Sequence, residues 1–232
     1  MSDSLGSVFG NLIVFDLETT GLDSARDQII EFGAVKANLA DGYAPVEDCD
    51  LMIRLPKGVS IPIHITELTG ITTERLNRDG ISADIACRHI FDMLNTDNLL
   101  LSAYNAQFDL CFLYHFLRQH GQESVLRRIK FLDAMTVYKD RKSYPHRLSD
   151  AVAAYRLQTG NTHRAIDDAM ATLELIQKMS EDEDDLYSYV NLFGFNPKYG
   201  ILGKKISSVT YRKQEYHMNK RFNPKFCVNI KT

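Results

Sequence analysis

Several features that would point this 232-residue chain elsewhere are missing from it. No charged segment followed by an apolar stretch opens the chain, and no apolar run approaches the roughly 20 residues that a membrane span needs. A secretory leader and a membrane-spanning helix are therefore not expected, and a cytoplasmic location follows by default. The four cysteines, Cys49, Cys87, Cys111 and Cys227, form no CxxC pair. That excludes a zinc knuckle and a disulfide framework, and the cysteines read as buried free thiols. No repeat is visible, and low complexity is confined to the acidic run at residues 181–185. A net charge of −3 argues neither for nor against a polyanionic partner.

What is present is a hydrophobic content of 44%, enough for a real core in one domain or one domain with a small appendage. Charge is distributed unevenly. Residues 186–232 hold nine Lys or Arg against one acid, a net +8, whereas residues 1–185 carry −11. Such asymmetry hints at nucleic-acid contact or at a tail that acts separately. The acidic run 181–185 cannot pack and marks a solvated boundary or a helix end, and the domain division is expected at 1–185 and 186–232.

Periodicity predicts strands at residues 10–16, 28–39, around 49–55, 98–104 and 130–132. Helices are predicted from a Ser82 cap to about Leu94, from an Asn105 cap to Gly121, and at 133–139, 148–156 and 164–179. Strands come first and helices alternate later, which predicts an α/β fold with a mixed sheet.

The sharpest chemical signal is Asp16-Leu-Glu18, which closes the apolar run Leu12-Ile-Val-Phe15 and leads into Thr19-Thr-Gly21. Side chains alternate along a strand, so Asp16 and Glu18 share a face and Leu17 points away. Two carboxylates in an apolar setting resist ionisation unless a proton or a metal compensates them. Three later residues could join them. Asp109 falls in the first turn of its predicted helix, where an acid is favoured but also commonplace. His163 sits in the loop 159–163 before a long helix. On that helix Asp168 flanks Ala165, Ala169 and Thr172 and is expected to face inward among small residues, whereas Asp167 shares a polar, outward stripe.

Asp16-Leu-Glu18-Thr-Thr-Gly21, Asn105-Ala-Gln-Phe-Asp109 and His163 with Asp168 five residues on resemble, in order and spacing, the DEDDh 3′→5′ exonucleases, in particular the epsilon-type proofreading subunits and their free-standing relatives. The resemblance covers about residues 10 to 180. Residues 29–35 resemble the family's second strand, and residues 63–71 the loop before its first helix. One departure is Tyr104, where epsilon-type proteins commonly place His.

The resemblance implies a ribonuclease H-like mixed β-sheet flanked by helices, followed here by a small basic, aromatic-rich C-terminal appendage. It also implies two divalent ions, Mg²⁺ or Mn²⁺, held by Asp16, Glu18, Asp109 and Asp168, with His163 as general base. Hydrolysis of a phosphodiester needs positive charge at the reacting oxygens, which two ions about 4 Å apart provide. Hard oxygen ligands select Mg²⁺ or Mn²⁺ over zinc, and an imidazole's ordinary pKa of about 6.5 suits proton transfer near neutrality. Leu17, Thr19, Thr20, Gly21, Leu22, Thr69, Asn105, Phe108 and His163 are the implied substrate contacts. Leu22 reads equally as a residue packed on the terminal base and as a core residue.

The expected activity is release of nucleoside 5′-monophosphates from 3′ ends of DNA, single-stranded preferred, in proofreading or repair. RNA is the alternative substrate, and a non-catalytic, polymerase-accessory nucleic-acid binding module is the alternative from another class. The basic tail could contact nucleic acid, recruit a DNA polymerase subunit, or dock on the acidic domain with aromatics inward and lysines outward; docking is the favoured reading. Residues 209–216 read as a strand and 196–200 as a turn.

Overall fold

The computed structural model describes residues 4–160 and 162–214. Seven strands and eight α-helices order these residues. The strands are β1 (Asn11–Thr19), β2 (Ile29–Asn38), β3 (Ala44–Met52), β4 (Leu99–Ala103), β5 (Lys130–Asp133), β6 (Leu192–Phe195) and β7 (Thr210–Lys213). The helices are α1 (Leu5–Val8), α2 (Ile63–Thr69), α3 (Thr73–Asp79), α4 (Ala83–Leu94), α5 (Ala106–Gln119), α6 (Ala134–Arg141), α7 (Leu148–Tyr155) and α8 (Ala165–Asp182).

The main sheet runs β3-β2-β1-β4-β5, antiparallel on the β3-β2-β1 side and parallel from β1 through β4 to β5. This is the mixed sheet of the ribonuclease H-like exonuclease fold. β1 is central, and Leu12 through Phe15 are buried on both faces because helices cover both. Alternation sends Ile13, Phe15 and Leu17 into the core beneath α4 and α5. It sends Leu12 and Val14 into the opposite core with α6, α7 and α8, so Asp16 and Glu18 emerge on the α8 side.

Several boundaries differ from expectation. β1 continues to Thr19, so Asp16 and Glu18 lie within the strand rather than at its end. β3 starts at Ala44, earlier than predicted, because this edge strand is solvated and its polar residues hide it from a hydrophobic pattern. The segment 63–71, expected as a loop, forms α2 and leads into α3, which together close a small third core over Ile30, Leu55 and Ile71. Among the thiols, Cys87 and Cys111 are buried but Cys49 only partly so, and Cys227 lies outside the described residues.

The described part of the C-terminal stretch is docked. Leu186 and Tyr189 enter one core and Phe193 the other, while Lys204 and Lys205 stay exposed. Its two strands pair in parallel, β6 with β7. The strand expected at 209–216 is β7, 210–213, and the residues beyond 214 lie outside the described part. No helix of the described residues is long and apolar enough to cross a membrane.

Candidate active site

Asp16 stands opposite Gly33 and Glu18 opposite Glu31 on β2, with a bulge after Glu18. Glu31 is completely buried, a position that costs free energy unless the charge is matched. It accepts hydrogen bonds from Arg164 Nε at 2.7 Å and from the Ala165 N–H at 2.8 Å, and Arg164 also reaches Asp50 at 3.3 Å. The first N–H groups of a helix lack intrahelical partners. Arg164 makes no side-chain cap of its own, so a strand carboxylate satisfies the start of α8 instead. Gly33 makes this seat possible: a Cβ there would come within 2.2 Å of the Ala165–Ile166 backbone.

Seating α8 in this way positions the two later candidates. Asp168 lies in its first turn, 5% exposed, and accepts the Thr162 N–H at 3.1 Å. Asp167 turns outward to the Thr162 hydroxyl at 2.6 Å. His163 immediately precedes the helix cap, exposed, in the left-handed region at φ 57°. Glu18, His163 and Asp168 present donor atoms that all lie within 4.8 Å of one another.

Asp109 arrives from the other side of the sheet on α5, 3% exposed. Asn105 occupies the cap position of that helix but does not cap it with its side chain. It sits in the left-handed region at φ 68°, which Asn tolerates better than most residues. The capping acceptor is Asp133, at the end of β5. One of its oxygens accepts both the Asn105 and Ala106 N–H groups at 3.1 Å, and the other accepts the Thr136 hydroxyl.

Every candidate acid is held above the usual carboxylate range. Asp16 is raised furthest by burial, then by the charges of Asp109, Asp168, Glu18 and Glu31. Burial, with Asp168 and Glu31 nearby, pushes Glu18 up to about 8, against a smaller opposing pull from Arg164. Burial also raises Asp109, opposed in part by backbone hydrogen bonds, with Asp133 and Glu18 adding to the rise. Asp168 is raised by burial and relieved by the Thr162 N–H and by His163. Arg164, the basic side chain at this cluster, is already engaged by Glu31 and Asp50. The donor set is therefore hard oxygen plus one imidazole with an unmet demand for positive charge, which fits a divalent cation.

The remaining candidates divide into two groups. Leu22 is 78% exposed, which removes its reading as a core residue. Phe108 is partly buried against Phe112, ring centroids 4.9 Å apart. Leu17 is buried on the α5 face, as alternation predicts. The Thr19 hydroxyl donates to Gly21 O at 2.7 Å. The Thr20 hydroxyl donates to Asp27 at 3.3 Å and accepts the Gln28 N–H, closing the loop that carries Leu22. Gly21 leaves room there for the Asp27 carboxylate, which a Cβ would meet at 2.4 Å. Thr69 is buried at the end of α2, its hydroxyl bonded to Ile65 O and the Ile71 N–H. Tyr104, the departure from the epsilon pattern, is buried with its hydroxyl on His146 O at 2.9 Å.

Sequence reasoning missed Glu31, Arg164 and Asp133 as builders of the site. Glu31 left one signal: an acid inside the apolar run Ile29-Ile-Glu-Phe32 needs a partner. Nothing local pointed to Arg164 or Asp133, whose partners lie 133 and 28 residues away.

A mixed five-stranded sheet with carboxylates converging from β1, α5 and α8 beside a histidine is the architecture of the DEDDh-type 3′→5′ exonucleases. The chain belongs to the RNase_T family, described as Exonuclease, whose sequence model matches residues 13–176. It is 32% identical over 214 residues to a PolC-type DNA polymerase III of Clostridium perfringens, covering 88% of this chain and 13% of that protein. The PolC-type enzyme of Bacillus subtilis is 32% identical over 174 residues, covering 73% and 11%. The chain thus spans about an eighth of the length of these polymerases. Its fold is similar to that of E. coli exonuclease I in a zinc-bound complex with single-stranded DNA, TM-score 0.70 at 18% identity, covering 78% of this chain and 42% of that one. The exonuclease I of Methylocaldum szegediense superposes similarly, TM-score 0.69 at 20% identity, covering 77% and 42%.

Proposed function

We propose that this chain hydrolyses phosphodiester bonds from the 3′ end of DNA, single-stranded preferred, releasing nucleoside 5′-monophosphates. The observation that carries the reading is the convergence of Glu18, His163 and Asp168 within 4.8 Å, beside Asp16 and the buried Asp109, in a cluster short of positive charge. Asp16, Glu18, Asp109 and Asp168 would hold two divalent ions, Mg²⁺ or Mn²⁺. Bound there, such ions stabilise charge on the attacking and leaving oxygens.

The chain's own groups do the rest. His163 accepts the proton of the attacking water, and its exposed loop position leaves it accessible from solvent. The loop from Thr19 to Leu22, locked by Asp27, presents an exposed apolar side chain to the terminal base and backbone groups to the 3′-OH. Asn105 and Phe108, at the head of α5, border the same end of the sheet. DNA is favoured over RNA because the relatives are DNA polymerases and the structural neighbour was solved with single-stranded DNA. The same relatives support a role in proofreading or repair, with a DNA polymerase subunit as the partner to test.

The test follows 3′-labelled single-stranded DNA and RNA with Mg²⁺ or Mn²⁺, beside EDTA and Asp16→Ala controls. Stepwise release of 5′-monophosphates from DNA, lost in both controls, is the expected result. Activity surviving EDTA would remove the metal from the mechanism, and cleavage of RNA alone would overturn the substrate.

A further inference from the structure

Docking of the C-terminal stretch creates a second feature on α5. The Gln107 amide donates to Leu202 O at 2.7 Å and to Lys204 O at 3.1 Å. The Tyr211 hydroxyl donates to Gln107 Oε1 at 2.6 Å and accepts the Ile206 N–H at 2.8 Å. These bonds clamp residues 202–206 against the first turns of α5. Between this strap, the outer face of α5 and residues 123–128 lies a cleft of about 470 Å³.

Its chemistry is one-sided. Arg118, Arg127, Lys204 and Lys205 line it against a single acid, Glu123. The four cations are exposed, and among the described residues none of them has an ion-pair partner. Tyr114, partly buried, contributes an aromatic side chain to the wall. All this stands on a protein whose first 185 residues carry −11. Cations without an acidic partner beside aromatic rings, Lys205 itself lying 5.8 Å from the Tyr211 ring centre, are the arrangement that tracks a single-stranded polynucleotide, with phosphates on the cations and a base on the Tyr114 ring. The cleft shares a helix with the catalytic candidate: at 1.5 Å per residue, Tyr114 lies about 8 Å and Arg118 about 14 Å along α5 from Asp109, on the face turned away from it, so a strand that occupies both passes round the helix.

We propose that this cleft holds the strand upstream of the 3′ end, so that the docked C-terminal stretch gives the exonuclease grip on its substrate. The proposal rests on the exonuclease reading, and the two fail separately. Binding of the full chain to a fluorescein-labelled oligothymidylate of about 12 nucleotides, within the usual site sizes, is measured by anisotropy in EDTA, where no metal-dependent hydrolysis intervenes. Loss of hydrolysis in the assay above would sink the activity alone; the EDTA titration judges the cleft.

Single-strand binding weakens with salt at a slope of about 0.7 per neutralised phosphate. Replacing Arg118, Arg127, Lys204 and Lys205 together by Gln should therefore reduce the slope of log K against log salt by about 3, with an unchanged melting temperature. Glu123→Gln should tighten binding. If the fourfold variant does not fold, the double variant K204Q/K205Q on the exposed strap carries the test, with about half that loss of slope. Unchanged slope and affinity in the folded variants would overturn the proposal. So would a variant that keeps DNA binding but loses capture of an acidic peptide, which would make the cleft a protein-docking site.

Discussion

Glu18→Gln should make the metal-free protein more stable at alkaline pH while removing its activity. In the folded chain the Glu18 carboxyl titrates near 8 rather than 4.5, so the folded state holds this proton more tightly than the unfolded chain does. Its contribution to stability is fully present below pH 4.5 and is lost as pH rises through 8. A difference of 3.5 pH units corresponds to about 5 kcal/mol at 1.36 kcal/mol per unit. Solvent reaching this partly buried side chain screens that to about 2 kcal/mol. Gln has nearly the same size and no charge, so it escapes the penalty at every pH. In EDTA the variant should melt higher than wild type by under about 1 kcal/mol at pH 5.5 and by about 2 kcal/mol at pH 9. At about 2–4 °C per kcal/mol for a domain of this size, the gap at pH 9 is about 4–8 °C. Thermal melts by circular dichroism measure it. Adding Mn²⁺ should stabilise wild type strongly at pH 9 and the variant weakly, reversing the order. A variant less stable than wild type at pH 9 in EDTA, or a gap that does not change with pH, would refute the view of Glu18 as a strained acid awaiting a cation.

Other perturbations test the scaffold. Arg164→Ala strands the buried Glu31 and frees the head of α8; breaking such a pair costs about 3 kcal/mol, read by urea denaturation, and kcat should fall because His163 and Asp168 lose their seat. Glu31→Gln keeps a hydrogen-bond acceptor for the Ala165 N–H and should recover much of what Glu31→Ala loses, in kcat as well as in stability. Gly33→Ala forces a methyl into the Ala165–Ile166 backbone and should cost at least as much as overpacking usually does, about 1–3 kcal/mol, in the same denaturation assay. Because protons compete with a cation for Glu18 and its neighbours, Mn²⁺ affinity measured by isothermal titration should strengthen as pH rises from 6 toward 8. Deleting residues 186–232 removes Leu186, Tyr189 and Phe193, all at most 1% exposed, and should abolish cooperative melting.

Much of the architecture was legible because it rests on local regularities. β1 and β4 are apolar on both faces and bounded by polar turns, and Ile90, Met93, Leu173 and Ile176 repeat at helical spacing, so a pattern over ten residues sufficed to place these elements. The inward side of α8 was readable in the same way, which is why Asp168 and Asp167 could be told apart. Where solvent rather than the core shapes an element, the pattern fails. β3 is an exposed edge, and α2 and α3 are seven residues each, too short for periodicity to separate them from a loop.

For this protein the amino-acid sequence by itself determined which acids exist, which side of a strand or helix each occupies, and that Asp16 and Glu18 needed a counter-charge. Only the tertiary structure decided how they meet. Gly33 lets α8 approach within contact of β2, Glu31 caps that helix across 134 residues, and Asp133 holds Asn105 in the left-handed turn that starts α5. Those interactions join partners far apart in the chain, and their strength comes from burial, which no single segment possesses before the sheet and helices have packed.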